Sequence, residues 1–421
     1  MMRETIQVVS YLALSLTVCD PVSAENWLRF RGPNGQSVSS ERNLPVTWSA
    51  SENVAWKTSI PGNGWSSPIV CNGHVFLTTT TEEGVSCRVI CVNRADGNIA
   101  WNTEVHRQKP GAKRRMNSYA TPTPVTDGKR VYAVFYDGTV VAVDFAGKRV
   151  WKNTEIKFFS LHGLGASPML AHGQLIMPFD GSSREETRIG FKVPWKNAVL
   201  LSLDAASGAV RWKGKRGESR VGHVTPILVD GGAQLVSAGG DRVQGFDART
   251  GKRIWSIYSQ GEGVTPSPVM ADGMIITSSG FEAPTLRAIR LGGTGDVTKT
   301  HIAWEQKKGV PVLASPLYVS PHLYTITRDN ILHCIEASTG KIVWVHRLKG
   351  VHSASPVLAD GKIYILSEDG VTLVLRPGPR YDEVARNTID DRCLASMAVS
   401  QGHFYIRSSK RLYSIGASSD R

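Results

Sequence analysis

Residues 335–344 read I-E-A-S-T-G-K-I-V-W, and the pattern recurs. Residues 246–255 are F-D-A-R-T-G-K-R-I-W, residues 203–212 are L-D-A-A-S-G-A-V-R-W, residues 143–151 are V-D-F-A-G-K-R-V-W, and residues 92–101 are V-N-R-A-D-G-N-I-A-W. In all five, glycine lies four residues before tryptophan. Each copy reads as a strand end, a turn opened by a polar residue and closed by glycine, and a strand carrying an aromatic. A turn and an aromatic at fixed offset, returning every 40–60 residues or so, mark a repeat architecture.

A second signal precedes each tryptophan: Ser or Thr, then Pro, then a short apolar run, a turn and a β-rich run. It occurs at Ser67, Thr123, Ser167, Thr225, Ser267, Ser315 and Ser355, with Ser396-Met397 as a degenerate eighth copy. Turns such as Asp272-Gly273 and Asp360-Gly361 join apolar runs and predict hairpins. Proline is tolerated because the opening residue of a strand need not donate to the ladder. Each unit therefore predicts four antiparallel strands, and no long stretch has helical periodicity.

Repeated around a ring, such units give an all-β fold, an eight-bladed β-propeller of four-stranded antiparallel blades. Trp101, Trp151, Trp212, Trp255, Trp304 and Trp344 close units one to six, and unit seven lacks the tryptophan. Unit eight ends after its third strand. Residues 53–58, with Trp56, are expected to supply its fourth and close the ring, which removes an open edge. Residues 180–197 and 291–300 interrupt units three and five.

Residues 1–24 read as a signal peptide, with Arg3 near the start, an apolar run from Ile6 to Val18, and Val22-Ser23-Ala24 as a cleavage site. Residues 25–421 are then a single propeller domain, and no further run is long enough for a transmembrane helix. Cys19 as a lipid attachment site fits less well, because Val18 precedes it where a small residue is wanted. Without residues 1–24 the 49 basic and 36 acidic residues become 48 and 34, a net +14. That balance points to acidic partners, lipid headgroups or acidic polysaccharide, and export argues against nucleic acid. Cys71, Cys87, Cys91, Cys334 and Cys393 remain, odd in number and without zinc or haem spacing. Cys87 and Cys91 share a strand face, and both a pairing and buried thiols fit.

The regular offset of the tryptophans argues for a structural clasp between blades rather than a cofactor box, for Trp56 as for the six others. The acidic turn residues Asp144, Asp204, Asp247 and Glu336 are expected to accept turn N–H groups. The segments just before each Ser/Thr-Pro should enter the innermost strands and line the central funnel. They offer Trp65, Arg114, Arg115, Tyr119, His162, His223, His352 and Arg392. The three histidines come from units three, four and seven, which are not adjacent around the ring, so they are read as polar side chains in a wet channel and no metal is expected.

The repeat (apolar)-Asp-Ala-x-(Ser/Thr)-Gly-x-x-x-Trp resembles that of the pyrroloquinoline quinone (PQQ) type propellers. These include quinoprotein alcohol dehydrogenases and the non-catalytic BamB-type outer-membrane assembly lipoproteins. The stretch W-L-R-F-R-G-P-N-G at 27–35 also looks like the opening of exported bacterial proteins with PQQ-like repeats. The dehydrogenase branch implies an adjacent Cys-Cys disulfide, a calcium held by carboxylate and amide, and an Asp base. No Cys-Cys pair occurs here. The resemblance therefore implies a non-catalytic, monomeric scaffold of the periplasm or cell envelope that binds envelope proteins and carries no cofactor. A PQQ- and calcium-dependent oxidoreductase is the alternative, and a carbohydrate- or polyanion-binding module a third.

Overall fold

The computed structural model describes residues 25–182, 195–217, 222–258, 264–280 and 283–417. The export segment with Cys19, and most of the 180–197 insertion, lie outside the described residues. The chain forms eight sheets of four antiparallel strands, one of them with an added fifth strand, and in blades one to seven the four run from inner to outer in sequence. Blade one shows the plan, with strands Ile69–Cys71, His74–Thr81, Ser86–Asn93 and Ile99–Arg107. The inner three strands are mostly buried and rich in apolar residues because both blade faces are covered by neighbours, as in Val140–Asp144 and Val199–Asp204. Outer strands alternate instead, as Ile342–Arg347 does between half-buried and exposed residues.

The ring closes as the repeat count requires. Val54–Ser59 pairs antiparallel with Arg411–Ile415 and becomes the outer strand of blade eight. This fourth strand leaves the third strand no open edge.

Every outer strand carries a register shift at the same place. In blade six Cys334 faces Trp344 and Ile335 faces Ile342, so Val343 is extra. Equivalent shifts precede Trp56, Trp101, Trp151, Trp212, Trp255 and Trp304, and one falls at Val384 in blade seven. A bulge bends the strand and re-aims the next side chain. Here it tips the tryptophan off its own sheet and over the following blade.

There the indole meets the next copy of the repeat. Trp101 Nε1 donates to Phe145 O (2.8 Å), Trp151 to Ala205 O (3.1 Å), Trp304 to Ala337 O (2.9 Å), Trp344 to Gly378 O (3.0 Å), and Trp56 across the closure to Arg94 O (2.8 Å). The turn glycine lies beneath the ring. A Cβ on Gly208 would sit 2.6 Å from Trp151, and one on Gly251 would sit 2.2 Å from Trp212. The glycine and tryptophan of one copy thus serve two different junctions.

Trp255 departs from this scheme. It folds back over its own blade, where its cross-strand partner is Gly245, and its Nε1 donates to Gln234 Oε1 (3.2 Å). A Cβ on Gly245 would lie 2.1 Å from the indole nitrogen. Unit five has no Asp-Ala-x-Thr-Gly turn to receive the ring. Its 291–300 insertion instead sends Gly295–Asp296 back as a parallel fifth strand beside Arg253–Tyr258, burying Trp255. The junction between blades seven and eight, where unit seven lacks a tryptophan, is filled from the chain's start. Trp48 lies between Tyr364 (6.2 Å) and Phe404 (5.7 Å), and its backbone N–H donates to Asn387 Oδ1.

Residues 25–41 run across one end of the ring. Trp27 bridges to Val70 of blade one, Val38 to Leu358 of blade seven, and Glu41 takes the N–H groups of Gln401 and Gly402 in blade eight.

Candidate functional site: the central funnel

The innermost strands bring the Ser/Thr-Pro signals to the axis, where they form a belt. The Ser67 N–H donates to the Thr123 hydroxyl (2.9 Å), Thr123 to Ser167 (3.0 Å) and Ser167 to Thr225 (2.9 Å). On the other side Ser267 donates to Ser315 (3.0 Å), Ser315 to Ser355 (3.1 Å) and Ser355 to Ser396 (2.9 Å). The hydroxyl oxygens of Thr123, Ser167, Thr225, Ser315, Ser355 and Ser396 each accept from the neighbouring blade, while no acceptor for these hydroxyl hydrogens occurs among the described residues.

The belt surrounds a funnel of about 680 Å³. Its mouth carries Trp65, Arg114, Arg115 and Arg328, its wall His162 and His223, and Phe30 faces it from the plugged end. Among the described residues no aspartate or glutamate lines it. Arg114 and Arg115 are exposed and make no ion pair among the described residues. His223 is 8% exposed, and neither ring nitrogen has a partner. Its ring packs edge-on to His162, with centroids 6.0 Å apart. Burial, then repulsion from His162, pulls the His223 imidazole down to about 3, so it is neutral at ordinary pH. Burial and then Arg114 lower His162 as well.

Beneath the floor lie two buried guanidiniums on either side of Phe30. Arg29 Nη2 donates to Pro226 O (3.2 Å); Arg31 donates to Pro268 O (3.4 Å), Pro316 O (2.6 Å) and Ser37 Oγ (2.8 Å). Beside Trp65, buried Arg407 donates to Ser66 Oγ (2.6 Å) and Thr78 O (2.7 Å). Burial lowers Arg29 to about 10 and Arg407 to about 9; burial, then Arg29, lowers Arg31 to about 9. All three stay cationic at neutral pH, held by oxygen dipoles with no carboxylate among the described residues.

Of the side chains expected in the funnel, Trp65, Arg114, Arg115, His162 and His223 meet there. Tyr119 does not: its hydroxyl donates to Gly111 O and its ring packs edge-on against Tyr136. His352 is buried beside Asn330, and Arg392 pairs with Glu368 (2.8 Å). The belt hydroxyls, Arg328 and the plugged floor were not legible as site residues. A hydroxyl residue at the same place in all eight units was the available signal, and the strand-opening proline beside it masked it.

The described residues of the funnel do not offer the ligands that a calcium-held quinone requires. No carboxylate lines it, and no group of three His, Cys, Asp or Glu that could hold a metal occurs among the described residues. The five described cysteines are free and buried. Burial raises Cys91 to about 12 and Cys334 to about 11; burial, then Asp391, raises Cys393 to about 12, so these thiols are unreactive.

The profile of the family described as outer membrane protein assembly factor BamB matches residues 31–160, 193–293 and 293–376, most of the chain. The chain belongs to the BamB family. A BamB of Bordetella pertussis is 23% identical over 339 residues, 75% of this chain and 76% of that protein. The BamB of Nitrosomonas eutropha is 25% identical over 294 residues, 66% of this chain and 64% of that one. In structure, BamB of Moraxella catarrhalis superposes with a TM-score of 0.60 at 15% identity, covering 87% of this chain and 98% of that one. A europium-containing methanol dehydrogenase superposes with a TM-score of 0.65 at 10% identity, covering 91% and 89%. At such identities the structural likenesses speak for the ring alone.

Proposed function

We propose that this chain is an exported, non-catalytic member of the BamB family that acts as a binding or scaffold protein at the bacterial cell envelope, with envelope proteins as partners. In this reading residues 1–24 are the export signal. The observation that carries it is the family match along most of the chain, whose relatives are named outer membrane protein assembly factors. The described funnel lining supports it, since among the described residues it supplies neither carboxylates nor paired cysteines for quinone chemistry. No helix among the described residues is long and apolar enough to cross a membrane.

Deleting the gene tests the reading. The outer membrane should lose β-barrel proteins, measured by quantitative proteomics of that fraction, and the wild-type gene should restore them. Purified protein given PQQ and calcium should show no dye-linked alcohol oxidation. Sustained turnover, or an unaltered outer membrane in the deletion strain, overturns the proposal.

A further inference from the structure

The funnel is rich in hydrogen-bond donors and poor in acceptors. Around its waist the belt hydroxyls of Thr123, Ser167, Thr225, Ser315, Ser355 and Ser396 each accept one backbone N–H from the neighbouring blade and keep their hydrogens for a further acceptor. At the mouth stand the guanidiniums of Arg114 and Arg115, with no carboxylate among the described lining residues. In the wall the His223 ring is nine-tenths buried, with both nitrogens unpartnered. A buried polar group without a partner is destabilising, so its retention calls for a partner that enters from the cavity.

Electrostatics select the sign of that partner. Arg29 and Arg31 are fixed cations beneath the floor and Arg407 is another beside Trp65, all bound to neutral oxygens. Charges in a low-dielectric wall act across the cavity with little screening. Donors come from above, from the side and from around the waist. A tetrahedral oxoanion, with acceptor oxygens in every direction, matches that spread better than a planar carboxylate.

We propose that the central funnel is an oxoanion-binding site that takes a sulfate or phosphate group, either as the free ion or as an ester on the end of an acidic saccharide. Arg114 and Arg115 hold the anion electrostatically at the mouth, the belt hydroxyls donate around it, and His223 donates from the wall. The site stands apart from the scaffold reading, because no envelope partner need touch it.

Isothermal titration of the full chain with sodium sulfate, and separately with sodium phosphate, reads the site at neutral pH and at an ionic strength fixed with sodium chloride. The expected result is saturable binding to a single site. The R114A/R115A double variant, whose side chains are exposed and unpaired, should keep its thermal midpoint and bind roughly tenfold more weakly. His223→Ala should lose a similar factor, and His223→Gln, which keeps a donor, should recover part of it. The histidine ring resonances should shift on adding sulfate in the wild type, and the shifting pair should be missing from His223→Ala. Heat no different from the chloride control, or affinity unchanged in R114A/R115A, overturns the site. A sulfated disaccharide that displaces sulfate identifies the saccharide as the source. One that fails to compete while the ion binds identifies the free ion.

Discussion

The glycine of each repeat is constrained twice. Gly208 has φ +75°, where a side chain strains the backbone, and its absent Cβ leaves the space that Trp151 fills. Gly273, in a hairpin turn, has φ +73° with nothing within 4 Å of a built Cβ. Alanine at Gly273 should cost only the backbone strain, about 1–2 kcal/mol. Alanine at Gly208 adds a collision with the indole, roughly another 1–3 kcal/mol. Urea denaturation of G208A and G273A should therefore separate the two by at least the smaller figure, and equal midpoints would remove the docking role of the turn. Buried histidines make a second prediction at this scale. Burial holds His352 at about 4 and His223 at about 3, below the ordinary 6.5. The unfolded chain takes up these protons first, so stability is intact above about pH 6.5 and falls as pH drops toward 4. Each histidine contributes up to about 1.4 kcal/mol per pH unit in that window. His162, His333 and His403, also lowered by burial, act in the same direction. The urea midpoint should drop between about pH 7 and pH 5, and His352→Gln should flatten the drop; a midpoint flat across that range in the wild type would contradict the assignment.

At the scale of the blade, sequence and structure part company at identifiable places. The four-strand unit was legible because hairpin turns and apolar runs are local, and both periodicities lie within one repeat. The bulge before each tryptophan was not. It is a mismatch in count between two strands, visible only once their register is known. Without it the tryptophan reads as a clasp but not as one that reaches forward to the next glycine. Trp255 shows the same limit. Its offset from Gly251 is the usual one, and it is diverted by Gly245 on its own sheet and by the absence of a receiving turn in unit five. Funnel residues were legible where they immediately precede an inner strand, as Trp65 and His223 do. His352 precedes one too but turns into the protein, since side-chain direction there is set by packing between blades and not by position in the chain.

For the whole molecule the decisive segment is the shortest to describe. Residues 25–52 contribute no blade strand, yet they touch most of the ring. Trp27 reaches blade one, Arg29 blade four, Arg31 blades five and six, and Trp48 the junction of seven and eight. Residues 54–59 then close the last blade. These are two separate locks, and chains begun at residues 25, 53 and 60 distinguish them. A start at 53 removes the cork and keeps the closure. Trp27 and Trp48 are buried, and losing each costs on the order of 3–5 kcal/mol, so this chain should fold with a thermal midpoint several degrees lower. A start at 60 also exposes the unpaired edge of Arg411–Ile415, so it should lose cooperativity and aggregate. Calorimetry and light scattering on the three chains read both steps. Equal midpoints for starts at 25 and 53 would reduce the cork to a passive cover. A chain from 60 as stable and monomeric as the one from 53 would mean that the blades hold one another in a ring without the strand that completes it.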